Sequence, residues 1–254
     1  MISMIGTDSL YDEVALLNDM IASSDNIVFF GGAGVSTESG IPDYRSKDGL
    51  YNQKFSHPPE VMLSRPYFEE DPAGFFIFYR EKMVCLTAKP NAAHLKLAEL
   101  EKAGKLKGII TQNIDGLHQA AGSRNVLELH GSVHRNNCMK CGAFYGVDRI
   151  MASGDDGSGI PECPVCGGII KPSVVLYSEP LDNDVIAEAI GLISDADVLI
   201  IGGTSLAVYP AAGLINYYTG NRLVVINLED TDPSGRADLF IQGKIGEVLS
   251  RINV

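Results

Sequence analysis

Apolar residues recur along this chain in two rhythms. Leu10, Val14, Leu17 and Ile21 follow a helical spacing within residues 9–24. The run "NIVFFGG" (26–32) is instead continuously apolar and ends in glycine, the pattern of a buried strand. "NAAHLKLAELEKAG" (91–104) predicts an amphipathic helix stopped by Gly104, and "LDNDVIAEAIGLISDA" (181–196) predicts another helix. "LKGIITQN" (106–113), "DVLIIGGTS" (197–205) and "RLVVINLE" (222–229) predict strands that end in small or polar residues. Prolines and aromatics across 57–83 predict short helices broken by turns.

Strands thus alternate with helices, and each strand is apolar on both faces. That implies a parallel sheet covered on both sides, an open α/β fold. Ligands in such folds bind beyond the carboxyl ends of the strands. Four segments deliver polar groups there: Gly32–Arg45, Gln112–Asp115, Gly203–Ser205 and Asn227–Glu229. Residues 135–171 change character, with cysteines, glycines and "SGDDGSG", and predict a small insert with little core of its own.

Composition narrows the class. The chain has 254 residues, 45% of them hydrophobic, and a mean hydropathy of +0.08, as expected of a globular protein with a sizeable core. No apolar run reaches the roughly 18 residues of a membrane span. The N-terminus carries acidic residues and no basic stretch before an apolar block, so a cytoplasmic location is expected. A net charge of −12 argues against nucleic-acid binding and suits a solvated surface, with basic peptides as the alternative partners.

Cys138, Cys141, Cys163 and Cys166 form two C-x-x-C pairs, each followed by glycine (Gly142, Gly167). Four thiolates in two such knuckles are a closed tetrahedral zinc site with a structural role. The segment is too short to fold on a core of its own, so metal binding supplies the missing free energy. A thioredoxin-type redox reading fits poorly, because neither pair opens a helix after a strand. Cys85 is expected to be a buried small hydrophobe.

The strand ends carry the chemistry. Gly32, Ala33 and Gly34 let backbone N–H groups approach a pyrophosphate, and Ser36 and Thr37 could add hydroxyl donors. Arg45 could grip phosphate or ribose oxygens, or only salt-bridge Asp43. Gln112, Asn113 and Asp115 offer amides and a carboxylate to ribose hydroxyls and a carboxamide. Thr204 and Ser205 can donate to phosphate or ribose. Asn227 and Glu229 suit an adenosine ribose, and the acidic group disfavours a 2′-phosphate, so NAD is expected over NADP. His130 ends "NVLELH"; with an ordinary pKa near about 6.5 it is the candidate general base. His94 and His118 lie in helical contexts and are expected to be packed, His57 lies in a loop, and His134 could flank the cleft. "KPSVVLYSEPL" (171–181) is either a plain connector or an extended run able to pair with a substrate backbone.

Taken together, "VFFGGAGVSTESGIPDYRS", "TQNIDGLH", "ELHGS", the two C-x-x-C pairs, "GTSLAVYPAAGL" and "INLE" resemble the sirtuins, the NAD-dependent protein deacylases, over nearly the whole chain from Asn26 to Glu229. The resemblance implies a large Rossmann-type parallel-sheet domain (about 1–50, 88–134 and 172–254), a helical insert (about 51–87) and a small zinc-binding module (about 135–171). It implies a cleft where NAD meets an acyl-lysine protein or peptide. NAD is consumed there as co-substrate: nicotinamide leaves, and the acyl group passes to a ribose hydroxyl, giving free lysine and O-acyl-ADP-ribose. The alternative on the same NAD site is mono-ADP-ribosyl transfer to protein; His130 favours deacylation, because simple transfer needs no base for an acyl step.

By resemblance, Asn113 and Asp115 line the nicotinamide pocket, with Asn113 joining His130 as catalytic, and Gln112 contacts the ribose. The cofactor-binding set extends to Asp43, Tyr44, Ile114, Gly203 and Leu228, and Val174, Val175 and Tyr177 contact substrate. Two departures stand out: Tyr177-Ser178 replaces the family's Phe-Gly, and Tyr44 replaces its Phe. Family members that favour acidic acyl groups carry a Tyr-x-x-Arg pair where this chain has Phe76 and Tyr79, with Arg80 adjacent. A preference for uncharged acyl groups is therefore expected.

Overall fold

The computed structural model describes residues 6–44, 49–152, 157–229 and 235–254. In chain order the strands are β1 (Ile27–Gly31), β2 (Leu106–Thr111), β3 (Val126–Glu128), β4 (Gly131–Cys138), β5 (Phe144–Tyr145), β6 (Ile170–Val174), β7 (Val198–Gly202), β8 (Leu223–Asn227) and β9 (Leu239–Gln242). Six of them form one parallel sheet in the order β3-β2-β1-β7-β8-β9. The chain steps outward from β1 on one side and then returns to build the other side from β7. The point of reversal lies between β1 and β7, where α/β folds open a ligand crevice.

The predicted continuous apolar strands are buried on both faces. Phe29, Ile109, Ile200 and Val224 face helices Gly6–Ala22 and Ala92–Lys102 through Leu17, Ile21, Leu97 and Leu100. Their neighbours Phe30, Ile110, Ile201 and Val225 face helix Asn183–Asp195 and the 3-10 segment Ala211–Tyr217 through Ala189, Ile193 and Leu214. Period-two alternation sends successive residues to opposite layers, so both layers need apolar side chains. Full burial of each Phe, at positions 29 and 30, stabilises the fold by roughly 1.5–3 kcal/mol. Two strands had no such signature. β3 has three residues, and β9 lies at a sheet edge with alternating burial.

The proline-rich stretch forms helices Pro59–Met62, Arg65–Glu70 and Pro72–Lys82. Each carries proline in its first turn, where the missing N–H costs nothing. Ser64 Oγ accepts from the Tyr67 amide at 3.3 Å, and Asp71 Oδ1 from the Gly74 amide at 2.9 Å. Their aromatics join the small antiparallel sheet β5-β4-β6 in a third apolar cluster. Cys85 corrects the expectation of burial. The helix stops at Lys82, the chain crosses the surface, and the thiol is exposed, 3.9 Å from Thr87 Oγ1. Among the described residues no helix is long and apolar enough to cross a membrane.

Candidate active site and metal centre

A single cavity of about 360 Å³ lies over the carboxyl ends of β1, β2, β7 and β8. Gly32, Ala33 and Gly34 form its floor, and Gly32 N–H donates to Gly202 O at 3.2 Å while Gly34 N–H donates to Gly203 O at 2.8 Å. The two strand ends touch so closely that side chains are excluded. A Cβ on Gly34 would sit 2.8 Å from Gly203 O, and one on Gly203, whose φ is 58°, would sit 2.4 Å from Val35 N. The glycines therefore serve strand packing as much as ligand approach.

Beside this floor, residues far apart in sequence knot together. Asn113 Nδ2 donates to Ser36 Oγ at 3.0 Å, and Ser36 Oγ donates to Asp115 Oδ2 at 2.7 Å. The other carboxylate oxygen of Asp115 accepts from Leu117 N–H at 2.9 Å and starts helix Leu117–Ala121. Gln112 Nε2 reaches Thr204 Oγ1 at 3.0 Å, and Asn227 Nδ2 reaches Thr204 O at 3.1 Å. Thr37 Oγ1 donates to Gly34 O at 2.9 Å. Ser36 and Asp115 do not line the cavity; they stand behind Asn113 and fix its amide.

Asp43, Tyr44, Gln112, Asn113, Ile114, His130, Gly203, Thr204, Ser205, Asn227, Leu228 and Glu229 all reach the cavity wall, as do Thr37, Val174, Val175 and Tyr177. Arg45 lies outside the described residues.

His130 Nδ1 is 3.0 Å from Gln112 O. A carbonyl oxygen only accepts, so Nδ1 carries the proton and the neutral ring keeps its lone pair on Nε2. Burial lowers the His130 pKa from its ordinary value, partly opposed by the bond to Gln112 O. The next residue, Gly131, has φ 75°, and a Cβ there would lie 1.8 Å from Ser173 O. Only glycine lets β4 pass so close to β6 directly after the imidazole. His130 O in turn accepts from Val175 N–H at 3.0 Å, so the same residue grips the strand that follows β6.

The other histidines do not reach the cavity wall. His134 is exposed on β4, with Nε2 3.0 Å from Asp115 O. His57 is exposed beside Ser56, as expected of a loop. His94 and His118 are buried with ring centroids 4.7 Å apart. Burial pushes them down to about 4 and about 3 respectively, so both pack as neutral rings.

The strand after β6 is held by contacts that sequence alone did not reveal. Tyr177 N–H donates to Leu63 O at 3.0 Å, and Arg65 N–H donates to Tyr177 O at 2.9 Å. Glu179 accepts from Leu176 N–H at 2.8 Å, from Lys171 Nζ at 3.0 Å and from Arg65 Nη1 at 3.0 Å. Sequence reading also missed Tyr51, Leu63, Met83 and Lys244 on the cavity wall. The only advance signal for the first three was aromatic and apolar richness in the helical insert; Lys244, between β9 and the last helix, had none.

The four cysteines of the paired knuckles bring their sulfurs within 4.8 Å of one another. Cys138 and Cys166 Sγ are 3.4 Å apart, Cys141 and Cys163 Sγ 3.7 Å. Tetrahedral zinc with Zn–S of about 2.3 Å spaces its sulfurs by roughly 3.8 Å, so the donor set fits. Lys140 and Cys141 amides point at Cys138 Sγ at 3.4 and 3.5 Å, as thiolate-stabilising knuckle amides do.

The Sir2 family model matches residues 32–210. The NAD-dependent protein deacetylase of Clostridium acetobutylicum is 56% identical over 245 residues, spanning 96% of this chain and 99% of the relative. That of Clostridium tetani is 58% identical over 238 residues, spanning 93% and 95%. Among solved structures, Sir2 with a deacetylated p53 peptide and 3′-O-acetyl ADP-ribose superposes with a TM-score of 0.86 at 38% identity, covering 94% of this chain and 96% of the other.

Proposed function

This chain belongs to the Sir2 family, and we propose from that premise how the residues of its cavity divide the work. The protein is an NAD-dependent protein deacetylase acting on acyl-lysine peptides. NAD supplies an activated glycosidic carbon, so that nicotinamide leaves and the acyl group ends on the ribose of ADP-ribose.

The floor of Gly32, Ala33 and Gly34 receives the pyrophosphate, with Ala33 N–H as its donor because Gly32 and Gly34 N–H already bind Gly202 O and Gly203 O, and with Thr37, Thr204 and Ser205 as hydroxyl partners. Asn227 and Glu229, with Leu228 between them, hold the adenosine ribose. Asn113 and Ile114 enclose the nicotinamide end, with Asp43 and Tyr44 on the facing loop, while Gln112 contacts the reacting ribose. Ser36 and Asp115 fix the amide of Asn113 so that it donates from one orientation. Arg45 would add a fixed cation to the phosphates.

His130 is the base that takes the proton from the ribose hydroxyl. One observation carries this assignment: its Nδ1 is tied to a backbone carbonyl, which leaves Nε2 as the basic nitrogen inside the same cavity as the glycine floor. A base poised for acyl transfer favours deacetylation over simple ADP-ribosyl transfer. Val174, Val175 and Tyr177 present the substrate lysine. Because Tyr177's own N–H and C=O already bind the helical insert and Val175 N–H binds His130 O, an added peptide strand would pair at what those bonds leave, the C=O of Val175 and the backbone of Ser178. Cys138, Cys141, Cys163 and Cys166 hold zinc in a structural role. Four thiolates must stay reduced to do so, which supports a cytoplasmic location.

The test is to incubate the protein with NAD and an acetyl-lysine peptide and to identify products by mass spectrometry. Nicotinamide and O-acetyl-ADP-ribose should appear together in equal amounts. His130→Ala should still bind NAD but form no O-acetyl-ADP-ribose; unchanged turnover in that variant removes His130 from the role.

A further inference from the structure

Helix Ala92–Lys102 begins on an asparagine whose side chain does more than a cap requires. Asn91 Oδ1 accepts from Ala93 N–H at 2.9 Å, the bond that starts the helix. That bond fixes which end of the amide is oxygen, so the nitrogen is turned away from the helix. It meets the turn that follows the glycine floor, donating to Val35 O at 2.8 Å and to Ser39 Oγ at 3.0 Å. An asparagine amide has two N–H donors, and both are used here, on partners 56 and 52 residues away in sequence.

The two contacts straddle Ser36. The C=O of Val35 and the N–H of Ser36 belong to one peptide unit. Its N–H donates to Ala33 O at 3.0 Å and its C=O is held by Asn91, so the unit is pinned at both ends. On the other side, Ser36 O accepts from Ser39 N–H at 3.0 Å, and Ser39 Oγ is the second anchor on Asn91. Ser36 is buried, and its hydroxyl joins Asp115 and Asn113. Fixing the backbone on both sides of Ser36 restricts where Oγ stands, between the carboxylate of the one and the amide of the other. Thr37, inside the same turn, lines the cavity, whereas Asn91 does not.

We propose that Asn91 is a positioning residue of the NAD site. Its amide nitrogen holds the turn that carries Ser36, and through Ser36 it sets the Asn113 amide at the nicotinamide end. The proposal rests on the deacetylase reading above. A helix cap needs only the oxygen, so the nitrogen can be removed while the cap is kept. Serine and aspartate both cap helices well, but neither has an N–H to offer Val35. Aspartate would also turn a carboxylate oxygen toward Val35 O, which makes it the worse of the two.

The experiment follows nicotinamide release from NAD and an acetyl-lysine peptide, with zinc-loaded enzyme. Asn91→Ser should lower kcat/KM for NAD about tenfold, the order of one lost hydrogen bond, and Asn91→Asp at least as far. The peptide KM should stay within about twofold, because the substrate strand is held by Leu63, Arg65 and His130 instead. Far-UV circular dichroism should be unchanged, since the cap survives. Ser39→Ala removes one anchor and leaves the cap whole; it should move kcat/KM for NAD the same way, by about threefold. Asn91→Ser and Asn91→Asp that both match the unaltered enzyme, as a cap alone would allow, overturn the proposal. So does a loss carried by the peptide KM. Should the Asn91 variants lose helix content, Ser39→Ala decides, and full activity there overturns it. Failure of the deacetylase reading looks different: the unaltered enzyme then releases no nicotinamide.

Discussion

Lys171→Met probes the least visible support of the active site. Lys171 and Glu179 side chains are only 14% and 17% exposed. The ammonium also donates to Pro172 O at 3.2 Å and Val174 O at 3.1 Å, so it ties the end of β6 to the substrate strand. Burial lowers the Lys171 pKa even against the attraction of Glu179. Burial likewise pushes Glu179 up, but Leu176 N–H, Lys171 and Arg65 more than reverse this and hold it below its ordinary value. Removing one partner of a fully buried pair costs about 3–5 kcal/mol. Here Arg65 and the Leu176 amide still serve the carboxylate, so we expect roughly 2 kcal/mol, or a Tm lower by about 4–8 °C. The carboxylate's share is present above about pH 4.3, where an unfolded glutamate ionises, and is lost as pH falls through the lower folded value. The gap between Lys171→Met and the unaltered protein should therefore narrow in acid. Urea unfolding at pH 7 and pH 3.5 measures this, and the peptide KM should rise several-fold. Adding Glu179→Gln should recover part of the loss. A single variant within 0.5 kcal/mol of the unaltered protein, with unchanged KM, would refute the reasoning.

Two further outcomes follow from the same geometry. The His130 pKa is lowered by burial, so its neutral, basic form persists to more acid conditions than a free imidazole; single-turnover acyl transfer against pH should keep its rate through about pH 6.5 and fall only below it. An acid limb centred above that value contradicts the buried geometry. Stripping the metal with a chelator should unfold the segment around β4–β6, seen as loss of a cooperative thermal transition, and should abolish deacetylation by loosening the Gly131–Val174 pairing. Metal-free protein with full activity would overturn the structural role.

The central strands were legible because burial on both faces forces unbroken apolar runs, as in Ile27–Phe30 and Val198–Ile201. The place of the cavity beyond their ends was legible because polar groups cluster where the sheet stops. What escaped were contacts between distant segments. Ser36 and Asp115 stand 79 residues apart, Arg65 and Glu179 114, Tyr51 and Tyr177 126. Nothing in local periodicity marks such pairs, since each is set by how the insert packs on the strand. Ser36 shows the limit well: a serine in a glycine loop reads as a phosphate donor, whereas its hydroxyl is engaged by Asp115 and Asn113. Cys85 shows it again, because one missing helical turn exposes the thiol.

The carbonyl of His130, the proposed base, is what fastens the strand proposed to present the peptide, through Val175. Proton acceptor and lysine cradle are thus mounted on a common bracket, with a side-chain-free joint on one flank. On that assignment the two would travel as one piece, held by the Val175–His130 bond.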